Sequence, residues 1–183
     1  GISSAVMAGD ITSTGKSDKD VYTYYSNVKT AVNNLIDRAQ SQCLTDGGLR
    51  IEPTGSATAE IANAIYAIAN GVLVTKTAGA DMAALPTGTI TGGNENVYCF
   101  FVSQGGTLTC TAGTMASSLA SVTLPTPTAN AAMIGMMRVR MATGGTFTAG
   151  TTDLDAGSVT AAFINTQGMI DISPGSTLSL TGL

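Results

Sequence analysis

Asp153 and Asp155 sit two residues apart in a stretch almost free of other charge, an arrangement that a carboxylate pair or a calcium loop could use. No further acidic residue follows at EF-hand spacing, so the pair reads as part of a loop between strands. Hydrolysis or lyase chemistry on a glycan is the enzymatic alternative for the same two residues. Residues 14–17, TGKS, match the end of a phosphate-binding P-loop, but Asp10 stands where its first glycine is needed and no strand-like stretch precedes it. The chain contains no histidine, which removes Ser-His-Asp, Cys-His and most zinc arrangements. Cys43, Cys99 and Cys110 are odd in number and lack CxxC spacing, so they read as reduced, mostly buried thiols of a protein assembled in a cytoplasm. Glu52, Glu60, Asp81 and Glu95 have no evident partners in the sequence. With no base, nucleophile or phosphate cradle left, the expectation is a non-enzyme without cofactor or metal.

The remaining charged motif is MIGMMRVRM, residues 133–141. Its alternation puts Gly135, Met137, Val139 and Met141 on one face of a strand and Arg138 and Arg140 on the other. The two arginines either form an ordinary solvated face or pair with carboxylates. Those carboxylates would belong to a neighbouring protein or be Asp153 and Asp155, since guanidinium suits bidentate pairing.

The elements that hold these residues are mostly short strands. In residues 60–76, EIANAIYAIANGVLVTK, two apolar runs flank Asn70 and Gly71, which tolerate the positive φ of a type I′ turn, so the stretch reads as a β-hairpin. An Ala-rich helix over residues 58–69, with Asn70 and Gly71 as its cap, is the alternative. VYCFFV, residues 97–102, is apolar at nearly every position and predicts a strand buried on both faces. Gln104 to Thr107 turn it into a second strand, LTCT. Further strands are predicted at 118–124, ended by PTP, and at 159–164, 169–172 and 177–180. Gly144-Gly145-Thr146-Phe147 echoes Gly105-Gly106-Thr107-Leu108, which suggests two similar hairpin turns.

Before the strands, Val21, Tyr25, Val28, Val32, Leu35 and Ala39 recur at steps of four and three, a heptad seam. Tyr24, Ile36 and Cys43 widen it, Ser17 is a plausible cap and Gly47-Gly48 a stop, so an amphipathic helix is expected over residues 18–46. The seam either forms a short parallel coiled coil, where β-branched valines favour trimers, or packs on the chain's own β domain. Residues 1–17 are small and polar without periodicity and read as an extended arm, and residues 47–183 as the β domain.

Composition supports a mainly β chain: 28 threonines and 22 glycines accompany only 11% charged residues. Beyond Phe100, five charged residues serve 83 positions, and a surface that neutral favours association. A net charge of −4 with scattered Lys and Arg argues against nucleic acid as a partner, and no membrane span or secretory signal is expected.

From residue 61 to residue 166 the order of features resembles a family of virion structural proteins of tailed bacteriophages. The residues that carry the resemblance are Asn70, Gly71, Val74 and Lys76; Tyr98 and Val102 leading to Gly105, Gly106 and Thr107; Leu124, Pro125 and Pro127; Ile134, Gly135 and Val139; and Gly145, Thr146, Phe147, Gly150, Thr151, Leu154, Asp155 and Ala156. The resemblance implies an antiparallel, jelly-roll-like β-sandwich, preceded here by the arm and one helix, in a symmetric oligomer on a phage particle. Such a protein would be made in the bacterial cytoplasm and act as a capsid decoration or cement protein, a homotrimer on the major capsid protein. Val21, Tyr25, Val28, Val32, Leu35, Arg138 and Arg140 are the expected interface residues. A tail, baseplate or head-fibre part used in host attachment is the alternative, with Phe147 and Phe163 as the candidate exposed aromatics. No catalytic residue is implied.

Overall fold

The computed structural model describes residues 18–55 and 57–168. The arm, TGKS, Ser17 and the strands expected at 169–172 and 177–180 lie outside the described residues. The chain is mainly β with antiparallel sheets, and it divides into two units, Gly1–Arg38 and Ala39–Leu183.

Helix α1 spans Asp18–Gln40, shorter at its C-terminus than the sequence suggests. Tertiary bonding ends it before Gly47 and Gly48 can. The Gly71 N–H donates to the Gln40 carbonyl at 2.8 Å, and Gln42–Cys43 already form strand β1, paired with Ala67 and Ile68. Cys43 is therefore a buried strand residue, not part of the helical stripe. Gly47 instead lies against the core, where an added Cβ would come within 2.8 Å of Ile65.

Within residues 60–76, residues 65–76 form the expected hairpin. Strands β4, Ile65–Ala69, and β5, Val72–Lys76, pair antiparallel around Asn70 and Gly71, whose φ values of 51° and 76° are those of a type I′ turn. The first residues of the stretch belong to β3, Ala59–Ile61, which lies between β2, Leu49–Ile51, and β6, Ala80–Asp81.

The largest sheet has the order β12-β10-β8-β9, from Val159–Asn165, Ala131–Met141, Glu95–Ser103 and Leu108–Ala112. Every residue of β8 except Ser103 is buried, because both of its faces are covered. On one side Tyr98, Phe100 and Val102 join a core with Ile61, Ile65, Ile90 and Phe147, drawn from the smaller sheets. On the other, Val97, Cys99 and Phe101 pack with Met133, Met136, Val122 and Leu124. Burying a phenylalanine such as Phe100, Phe101 or Phe147 contributes about 2–3 kcal/mol.

One strand expectation and one turn expectation fail. Residues 118–124 hold a 3₁₀ turn, Leu119–Ser121, and one isolated bridge from Thr123 to Thr114. Pro125 and Pro127 follow closely and offer no N–H to a neighbouring strand, so the segment covers the second core as a loop. Gly144-Gly145 is not a second hairpin turn either. It leads from β10 into β11, Thr146–Thr148, which pairs with β7, Thr89–Thr91. Here the first glycine has positive φ (87°), whereas in Gly105-Gly106 the second does (76°).

Candidate functional site

The heptad stripe of α1 is exposed. Tyr25, Val28, Val32 and Leu35 are 42–58% accessible, Val21 is intermediate, and Tyr22, Tyr24 and Ile36 are also exposed. Seven of the twelve large exposed apolar side chains among the described residues lie on this one helix, which makes the stripe the main unburied apolar surface. In heptad terms Tyr25 and Val32 occupy a, Val21, Val28 and Leu35 occupy d, and Tyr22, Tyr24 and Ile36 flank them at e and g. A smaller apolar group, Leu44, Tyr66 and Leu73, lies on the outer face of the β1-β4-β5 sheet, opposite inward-facing Ala67 and Val74.

Strand β10 delivers Arg138 and Arg140 to one face, as the alternation implies, but the carboxylate waiting there is neither Asp153 nor Asp155. Arg138 Nε donates to Glu95 Oε2, and both side chains are largely withdrawn from water, at 17% and 4% exposure. The main-chain register puts Glu95 directly opposite Arg140 and diagonal to Arg138, so a single carboxylate faces two guanidinium groups. Asp153 and Asp155 are exposed in the loop after β11. Glu95 was legible only as an unpaired acid, because its role depends on which strand lies beside β10 and in what register.

A second charged group was not expected. Register-aligned Arg50, Glu60 and Asp81 cross the β2-β3-β6 sheet, and Glu52 reaches them from the end of β2. Arg50 grips Glu60 Oε1 through Nε at 2.6 Å and Nη2 at 2.5 Å. One oxygen each of Glu52, Glu60 and Asp81 lies within 4.8 Å of the others, a set whose chemistry suits a hard cation. Glu52 already accepts from the Thr54 hydroxyl and amide, at 2.6 and 2.9 Å, and these bonds hold its carboxyl below the usual range.

The thiols are built for packing. Burial raises the Cys99 thiol to about 12 and pushes Cys110 and Cys43 upward as well, so none is poised as a nucleophile. Of the two phenylalanines expected to be exposed for host attachment, Phe147 is fully buried and Phe163 partly so. The exposed aromatics are instead Tyr22, Tyr24, Tyr25 and Tyr66. Among the described residues no helix is long and apolar enough to cross a membrane. No protein-family model matches the chain, and neither a curated protein nor a solved structure is significantly similar to it.

Proposed function

We propose that this chain is a capsid decoration protein of a tailed bacteriophage, a homotrimer that cements the head by bridging major capsid protein subunits. The observation that carries the reading is the exposed, heptad-spaced stripe Val21, Tyr25, Val28, Val32 and Leu35 on a chain of low charge. Three copies bury these stripes against one another, and the flanking Tyr22, Tyr24 and Ile36 close the gaps that a three-stranded bundle leaves. A trimer then presents three identical β units to a threefold or quasi-threefold site on the shell. Contacts that are individually weak multiply there, since each engaged unit raises the effective concentration of the next. In this reading the β unit is a jelly-roll-like sandwich, the protein resides on the virion surface, and its work is mechanical, not catalytic. The sequence resemblance supports the phage assignment.

Sedimentation equilibrium tests the trimer, and heating of capsid shells tests the cementing role. Wild-type protein is expected at three times the chain mass, and Val28→Asp with Leu35→Asp at the mass of one chain with its β-sheet circular dichroism retained. Shells carrying the protein should resist heat and chelation better than bare ones. Wild-type protein that stays a single chain at high concentration, or shells equally robust with and without it, removes the reading.

Attachment to a host through a tail, baseplate or head fibre is the second reading. Tyr66, 48% exposed on a sheet face, is the observation in its favour, because a tyrosine ring stacks on sugars. Antibody labelling confined to the tail would select it.

A further inference from the structure

Strand β10 ends at a notch of about 330 Å³ lined by Gly93, Arg140, Met141, Ala142, Thr143 and Thr160. Its walls are two glycine turns held close together. A Cβ on Gly92 would lie 2.4 Å from the Gly144 nitrogen and 3.0 Å from the Ala142 carbonyl, so only glycine lets the turns meet. Gly93 and Gly144 both have positive φ, at 81° and 87°. Backbone bonds pin the floor: Gly93 N–H to Met141 O at 3.0 Å, Met141 N–H to Asn94 O at 2.9 Å and Ala142 N–H to Ser158 O at 2.9 Å. The notch is therefore part of the fold's fixed geometry.

The charge inside it is unbalanced. The β unit has three arginines, and two of them, Arg50 and Arg138, are held on buried glutamates. Arg140 faces Glu95 across β8 and Thr160 across β12, yet Glu95 is taken by Arg138. The Arg140 side chain has no hydrogen-bond or ion-pair partner among the described residues. Arg140, an exposed residue, lines the recess together with Thr143 and Thr160, in a chain whose net charge is −4.

We propose that this notch is a receptor for a carboxylate side chain of a neighbouring protein, gripped by the Arg140 guanidinium and hydrogen-bonded by Thr143 and Thr160. A planar guanidinium takes a carboxylate through two parallel N–H donors, and its single charge is neutralised by a monoanion, whereas a phosphate dianion would leave the site net negative. The proposal rests on the assembly reading for the source of the carboxylate, while the site itself is independent of it.

The test uses the full chain with its four arginines labelled at Nε, so that each side chain gives one resonance, titrated separately with acetate and with inorganic phosphate. Acetate should shift the Arg140 resonance to saturation and leave Arg50 and Arg138 in place. Arg140→Gln should remove the response, and Thr160→Val should weaken it about tenfold or more, as expected for losing one hydrogen bond to a charged partner. An Arg140 response no larger than that of Arg50, or saturation by phosphate but not acetate, overturns the proposal. If acetate binds while the protein proves monomeric, the assembly reading falls and the notch stands. If acetate does not bind a protein that is trimeric, the reverse holds.

Discussion

Replacing Arg138 by Met takes away the guanidinium that holds the Glu95 carboxylate, which is 4% exposed and then faces only the exposed Arg140, and the cost follows from that burial. Breaking a buried ion pair from one side costs about 3–5 kcal/mol, and the partial exposure of Arg138, 17%, places this change near the lower end, about 3 kcal/mol. Glu95→Leu takes the carboxylate away from the more exposed partner, Arg138, whose other contact remains, and should cost about 2 kcal/mol. The double variant Glu95→Leu with Arg138→Met removes both charges and adds apolar surface beside Val97 and Met136, so it should cost about 1 kcal/mol or less. The coupling energy is then about 4 kcal/mol, far above the 0–1 kcal/mol of an exposed pair. Urea unfolding followed by circular dichroism, at one fixed protein concentration so that association does not enter, gives all four stabilities. Arg50 and Glu60 supply the internal comparison: Arg50 is 54% exposed, so Arg50→Met should cost clearly less than Arg138→Met. Equal costs for the two arginine variants, or a coupling below about 1 kcal/mol at Glu95–Arg138, would refute the claim that burial sets the strength of these pairs.

Gly135→Ala should destabilise by about 2–3 kcal/mol in the same assay, because its Cβ would lie 2.4 Å from both the Ile164 carbonyl and Leu49 Cδ1; a change under about 0.5 kcal/mol would show that β10 and β12 can separate there at no cost. Cys99 and Cys110 should react with a thiol reagent only on unfolding, since burial keeps both protonated, and rapid modification of either in the folded chain at pH 8 would contradict their packing. The same burial gives a pH dependence. Cys99 titrates near 9 when unfolded and near 12 when folded, so its contribution is complete below pH 9 and lost as pH rises toward 12. Tyr98, raised from 10 to about 12, acts in the same direction, and stability should fall across this window; a flat profile would show that these groups are hydrated in the native state.

The features legible in the sequence are those set by local chemistry. Asn70-Gly71 specifies its turn because few residues accept φ near 51° and 76°, and the unbroken apolar run of β8 reports burial on both faces. Features set by long-range pairing were not legible. Nothing near Gln40 says that the helix stops there, since its last carbonyl is satisfied by Gly71, thirty-one residues on. Residues 118–124 have strand-like composition, but pairing needs a free edge as well as propensity, and this segment meets the face of the sheet through Val122 and Leu124. The same limit applies to the charged side chains. Alternation in β10 puts both arginines on one face, while the register with β8 decides that Arg138 takes Glu95 and Arg140 is left over.

The hairpin tip has a chemical consequence for the lifetime of the protein. Asparagine followed by glycine is the dipeptide most prone to spontaneous deamidation: the glycine nitrogen attacks the side-chain carbonyl, a five-membered imide forms and ammonia leaves. Here the Gly71 N–H is committed to Gln40 O at 2.8 Å, and the Asn70 amide group donates to Gln104 Oε1 at 2.9 Å. Nucleophile and leaving group are both held apart from the ring-closing geometry, so folding itself protects a bond that would decay in the unfolded chain, as peptide mapping of aged native and denatured samples would reveal.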